Sequence, residues 1–220
     1  MRSFDAPLAD LSKKYVMMNK LNKSFYQRSD VLQIAKDLLG KLLVTKWDGI
    51  ITSGRIVECE AYAGVMDKAS HATGGRRTAR NEIMYGNGGT AYIYLCYGIH
   101  HLFNVVTNTE NIPHAVLIRA IEPIEGINEM MKRMNLNKPD PTITRGPGKL
   151  SMAMGIFTKH SGISLSGNSL FIADDGFVLK KKEIVASPRI GVAYAGKDAL
   201  LPYRFYIKGN SFVSGIRKRS

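Results

Sequence analysis

Five short runs rich in β-branched and aromatic residues, at 41–47, 55–62, 90–97, 102–107 and 115–121, dominate the middle of the chain. Each is followed within two residues by Gly, Asn, Asp or Pro. Runs of that length and punctuation read as strands. The third and fourth are separated by a stretch containing Gly98, which predicts a β-hairpin with Tyr97, Gly98, Ile99 and His100 at its tip. Helical spacing is confined to short segments. Residues 31–39 follow Asp30, a side chain suited to cap a helix, and stop at Gly40. A second helix is expected to open at Pro123 and to bury Ile127, Met130, Met131 and Met134 along one face. A third is expected after Pro147, with Leu150, Met154 and Phe157 inward, and short strands follow from 163 onward. This pattern predicts one mixed α+β domain built on a largely antiparallel sheet, with flanking helices and a protruding β-hairpin. The 220 residues suit one domain with a core. Residues 1–22 mix charges with short apolar pieces and are expected to form a loosely ordered arm, leaving 23–220 as the domain.

Charge is what composition adds. Thirty-one Lys and Arg against eighteen Asp and Glu give a net +13, a field that attracts polyanions and speeds their capture. The basic residues cluster at Arg76, Arg77 and Arg80, at 180–182 and at 217–219. Any one cluster is ordinary solvated surface, but three on so basic a chain make nucleic acid the leading partner. No apolar run is long enough to span a bilayer, and no amphipathic basic helix points to acidic lipid. The first residues lack the apolar centre of a secretion signal, so a cytoplasmic protein is expected. Cys59 and Cys96 lie in strand-like runs without metal-ligand spacing and are expected to be reduced core residues. Neither metal nor cofactor is expected. There is no dinucleotide fingerprint, and residues 146–150 lack the upstream glycine of a phosphate-binding loop.

Strand alternation along 55–62 puts Val57, Cys59 and Ala61 on one face and Ile56, Glu58, Glu60 and Tyr62 on the other. Two carboxylates beside an aromatic ring, on a strand otherwise fit for a core, have two explanations. Either carboxylate can pair with an arginine for structural reasons, or one can serve as a general base in a partly dry site. Arg119 interrupts the apolar run 115–121 and can neutralise either glutamate, orient a water or bind a phosphate. Asn104 interrupts another; its amide can satisfy backbone groups or read the edge of a base. Tyr92 and Tyr94 share a strand face and fit cross-strand packing. Tyr97 is different, because a hairpin tip cannot bury a ring in its own domain. An exposed aromatic on a basic protein is a candidate wedge between base steps. Residues 64–89 make a connection long enough to suggest a function and include His71.

Together these residues resemble the alkyladenine (3-methyladenine) DNA glycosylases. The resemblance runs through 54–62, His71, Gly74-Gly75-Arg76, Arg80-Asn81, 90–98 and Asn104, then 117–123, 146–150, 189–192 and 204–206. It keeps the family's order over roughly residues 25–214. The resemblance implies that Glu60 is the general base, and that Arg119 and the backbone carbonyl of Ile190 help to hold the attacking water. It implies that Tyr62, Tyr94 and His71 surround a flipped base, with Tyr92 behind them. Asn104 would discriminate against the amino group of normal guanine. Tyr97 would be the wedge that fills the gap left by the extruded nucleotide, with His100, Arg76, Arg77 and Arg80 on the DNA side. Vertebrate members carry another aromatic where His100 stands.

The implied reaction is hydrolysis of the bond between sugar and base for 3-methyladenine, 7-methylguanine, hypoxanthine or ethenoadenine in double-stranded DNA. No lysine matches a nucleophile, so a monofunctional, monomeric enzyme without a lyase step is expected. Two other readings compete with this one. A catalytically silent binder of damaged DNA would have no use for Glu60. A hydrolase of free nucleosides would have no use for Tyr97 or the charge.

Overall fold

The computed structural model describes residues 19–138 and 140–215. Its elements in chain order are β1 (Asn19–Lys20), α1 (Lys23–Tyr26), α2 (Val31–Leu38), β2 (Leu42–Trp47), β3 (Ile50–Tyr62), β4 (Ala91–Cys96), β5 (His100–Thr107) and β6 (His114–Glu125). There follow α3 (Ile127–Arg133), α4 (Pro147–Ala153), β7 (Leu170–Asp174), β8 (Ile184–Ser187) and β9 (Arg204–Ile207). Among the described residues the strands form one sheet, ordered β1-β7-β2-β3-β6-β5-β4, with β9 bridging β3 and β8. Every pairing is antiparallel. This is the α+β class expected.

The thirteen-residue β3 is the axis. Its first half pairs with β2 through the turn at Asp48 and Gly49, and Glu58–Glu60 pair with β9, while β6 runs along the other edge. The change of partner coincides with register shifts on either side of Glu58. A bulge of this kind adds a residue and re-aims the side chains around it. It also corrects the alternation expected from sequence. Ile56 lies in the main core with Cys59 and Ala61, whereas Val57 packs with Ala120 and Val213 in a separate cluster.

Asp30 caps α2, its carboxylate accepting from the N–H groups of Leu32 and Gln33. That helix buries Ile34 and Leu38 against Ile56, Ile118 and Ile121 of the sheet, and α4 adds Leu150. Each such side chain contributes about 1.5–3 kcal/mol on burial. Pro123 does not open a helix. The strand β6 continues through it to Glu125, because the Pro123–Gly54 pair falls at a register shift where a missing N–H is tolerated. Gly126, at φ +72°, then turns the chain into α3, and a Cβ there would stand 2.5 Å from the carbonyl oxygen of Ile51. On α3 only Met130 is fully buried; Ile127 is exposed.

Cys59 is buried, its thiol donating to the Ala35 carbonyl at 3.1 Å, and burial pushes its pKa well up. Cys96, expected in the core, is only half-buried, because its place on β4 is next to the hairpin tip. Most of the expected N-terminal arm falls on residues 1–18, outside the described residues; Asn19 and Lys20 pair with β7 and Leu21 is buried. Among the described residues no helix is long and apolar enough to cross a membrane.

Candidate active site

At the bulge and just beyond it, β3 carries two wholly buried carboxylates, Glu58 and Glu60. Their surroundings differ. Glu58 is saturated. Its Oε1 accepts from Arg119 Nε at 2.9 Å, Arg204 Nε at 2.7 Å and Ser214 Oγ at 2.9 Å, and its Oε2 accepts from Ser214 N at 2.6 Å. Glu60 holds fewer donors. Ile190 N–H reaches its Oε1 at 2.7 Å, Arg119 Nη1 lies 3.2 Å from the same oxygen, and the Tyr62 hydroxyl donates to Oε2 at 2.9 Å. A carboxylate has roughly four acceptor sites, so Glu60 keeps one for a further donor.

Arg119 therefore bridges both glutamates and does not choose between them. Burial disfavours its charge, but Glu60 and Glu58 outweigh that and raise its pKa. Burial and the Glu60 charge push the Tyr62 phenol well up, so it remains a donor. Ile190 contributes its N–H to Glu60, a bond separate from the water-holding role expected of its carbonyl.

Tyr62 also forms one wall of a cleft. His71, Tyr92, Tyr94 and Asn104 line it with Tyr62, all five residues assigned to a base pocket from sequence. The hairpin pairing explains part of this, since Tyr92 stands directly opposite Asn104. His71 meets the Tyr94 ring edge-on at 4.5 Å between centroids, and its Nδ1 is 2.8 Å from the Tyr92 hydroxyl. Burial first, then Arg80 and Arg76, lower the His71 pKa to about 4, so the ring is neutral near pH 7. Burial pushes the Tyr92 phenol up to about 12. Asn104 donates its amide nitrogen to the carbonyls of Tyr92 and Leu102, which fixes the orientation of the side chain. Ala69, Met84, Ala115 and Tyr194 complete the lining. Sequence reasoning missed them. Tyr194 is 71% exposed and is held by a bond from its hydroxyl to the Ala69 carbonyl at 3.1 Å; nothing in its local sequence marks it.

The β4–β5 hairpin carries Tyr97 at its tip, 89% exposed and at φ +51°. Left-handed backbone costs a bulky residue about 1–2 kcal/mol, and such strain gathers at functional positions. His100 is exposed and lies over the backbone of Gly148, where a Cβ would come within 2.9 Å of its Nδ1. The three arginines differ. Arg80 lies over the Tyr94 ring at 5.3 Å, whereas Arg77 is engaged by Glu82 and Asn111 and stacks on Tyr85. Arg76 is exposed, and its carbonyl accepts from Asn81 and Tyr85.

Residues 24–211 match the family described as methylpurine-DNA glycosylase. A "Putative 3-methyladenine DNA glycosylase" of Bacillus cereus (strain G9842) is 48% identical over 200 residues, covering 87% of this chain and 97% of the relative. A protein of the same description from Clostridium perfringens (strain 13 / Type A) is 43% identical over 203 residues, covering 89% of this chain and 98% of the relative. With the match running through β3, the hairpin and the segment around Ile190, this chain belongs to the methylpurine-DNA glycosylase family.

Proposed function

We propose that this protein is a DNA-repair glycosylase that extrudes alkylated or deaminated purines from duplex DNA and hydrolyses the sugar–base bond with a water activated by Glu60. The observation that carries this reading is one junction. The Tyr62 ring lines the aromatic cleft, and its hydroxyl donates to Glu60, a buried carboxylate with one acceptor site left over.

A base stacked in a duplex is out of reach, so it must rotate out at a cost of roughly a few kcal/mol. Stacking on an aromatic wall offsets about 1–3 kcal/mol of that. Tyr62, Tyr94 and the neutral His71 supply the wall. Tyr97 enters the stack in place of the departed nucleotide. The net charge of +13 gathers the duplex in the first place. At the sugar, Glu60 takes the proton of the attacking water, and its negative charge stabilises the positive charge that develops as the bond breaks. Arg119 and the Ile190 N–H keep the carboxylate in place for that step. Asn104, unable to turn because its amide nitrogen is bonded to two carbonyls, excludes a base bearing an extra amino group. A base alkylated on a ring nitrogen is cationic and departs readily; hypoxanthine is neutral and needs protonation to depart. Among the described residues no lysine lines the cleft, which supports the reading of hydrolysis without a lyase step.

The test is single-turnover base release from a duplex holding one hypoxanthine or one 1,N6-ethenoadenine, with the wild type beside Glu60→Gln. Release by the wild type alone, with binding kept by the variant, is the expected result. Binding by both and release by neither, methylated DNA included, would establish a damage-binding protein in place of the enzyme.

A further inference from the structure

Asp67 and Arg189 form an ion pair sealed from solvent, their side chains 2% and 0% exposed. The guanidinium meets the carboxylate through two parallel bonds, Nη1 to Oδ2 at 2.5 Å and Nη2 to Oδ1 at 2.8 Å. Each partner also fastens backbone. Asp67 accepts from the N–H groups of Ala63 and Ala69, both at 3.0 Å. Arg189 donates to the carbonyls of Ala61 at 2.9 Å and Asp198 at 3.2 Å, and lies against the rings of Tyr62 and Tyr203.

The two segments joined this way matter for the site. Asp67 belongs to the irregular connection after β3 that brings Ala69 and His71 to the cleft. Arg189 immediately precedes Ile190, whose N–H holds Glu60, and residues 188–192 lie outside any helix or strand. No ladder of backbone bonds therefore sets the position of Ile190. The lacing continues at Lys68 N to Asp198 Oδ2, 2.8 Å, and at Tyr194 Oη to the Ala69 carbonyl. A buried ion pair is poor value as a stabiliser, since apolar residues of similar volume often do as well. What it does supply is a fixed geometry.

We propose that Asp67 and Arg189 are positioning residues for the reaction: their pairing sets the Ile190 N–H against Glu60 and holds the base pocket in register with that carboxylate. The proposal rests on the reading of Glu60 as general base. Misplacing a reacting group by about 1 Å costs about a hundredfold in rate, so the pair acts on the chemical step and not on capture of DNA.

The test uses the full chain, as Asp67→Asn and Arg189→Lys, on a duplex with one 1,N6-ethenoadenine. The fluorescence of that base follows its extrusion, and its release is measured separately in single turnover. Lysine cannot make the two parallel bonds. It keeps a positive charge opposite the buried Asp67, so Arg189→Lys avoids the uncompensated buried charge that destabilises most and is the variant expected to fold. The control is Leu38→Ala, a core change in α2 that lowers thermal stability away from the site. The expected result is extrusion as in the wild type with release slowed about a hundredfold, while the control releases normally below its unfolding temperature. Release at the wild-type rate overturns the proposal. So does loss of extrusion and release together in step with stability, as in a merely structural pair. Failure of the wild type itself to release a base would instead remove the Glu60 reading.

Discussion

Acidification puts the environment of His71 to a quantitative test. In an unfolded chain the imidazole titrates at its ordinary 6.5; in the folded cleft burial, followed by Arg80 and Arg76, lowers that to about 4. The folded protein thus binds this proton less readily than the unfolded one does. Its preference for the neutral ring contributes stability that is fully present above pH 6.5 and is lost as pH falls toward 4. At about 1.4 kcal/mol per pH unit, the interval amounts to about 3 kcal/mol. Urea unfolding of the wild type and of His71→Gln, compared from pH 7.5 down to 4, isolates the effect. His114 and His160, whose pKa values are also lowered, titrate in both proteins and cancel in the difference. The wild type is expected to lose stability relative to the variant along a slope approaching about 1.4 kcal/mol per pH unit inside that window. Parallel curves, or a His71 ring resonance titrating near 6.5, would refute the reasoning.

Two further outcomes follow from the same geometry. Replacing Tyr97 by glycine removes a left-handed strain at a position with almost no packing to lose. The variant should gain about 0.5–1 kcal/mol in thermal denaturation while dissociating faster from damaged duplex; lower stability would argue against strain at the tip. Glu58→Ala leaves Arg119 and Arg204 without their shared buried acceptor, and should cost about 3–5 kcal/mol in urea unfolding. A loss below about 1 kcal/mol, typical of exposed pairs, would mean that water enters this network.

Much of the frame was legible in the residues. Asp30 and Gly40 bound α2 as their capping chemistry requires, and the turn at Asp48 and Gly49 joins β2 to β3. Pro123 misled because proline excludes a residue from a helix interior more firmly than it starts a helix; at a register shift in β6 its lost N–H costs little. Ile56 and Val57 misled for a related reason. Alternation is a rule of unbroken strands, and the bulge beside Glu58 lies where β9 replaces β2, a pairing between residues far apart in the chain.

The sequence by itself determined the elements, the charge and the resemblance that singled out Glu60, Tyr62, His71, Tyr94 and Asn104, because capping, alternation and motif order are local and linear. Strand alternation alone did not separate Glu58 from Glu60, since both fall on the same face of one strand; only the family resemblance pointed to Glu60. What the tertiary structure decided is how their surroundings differ. Glu58 is enclosed by Arg204 and Ser214 from the end of the chain, whereas Glu60 meets Ile190 and Tyr62 and retains an acceptor site. Tyr194 reaches the cleft, and Asp67 reaches Arg189, only by folding across more than a hundred residues. Which donors surround a buried carboxylate is decided by long-range packing, and no local pattern in the chain encodes it.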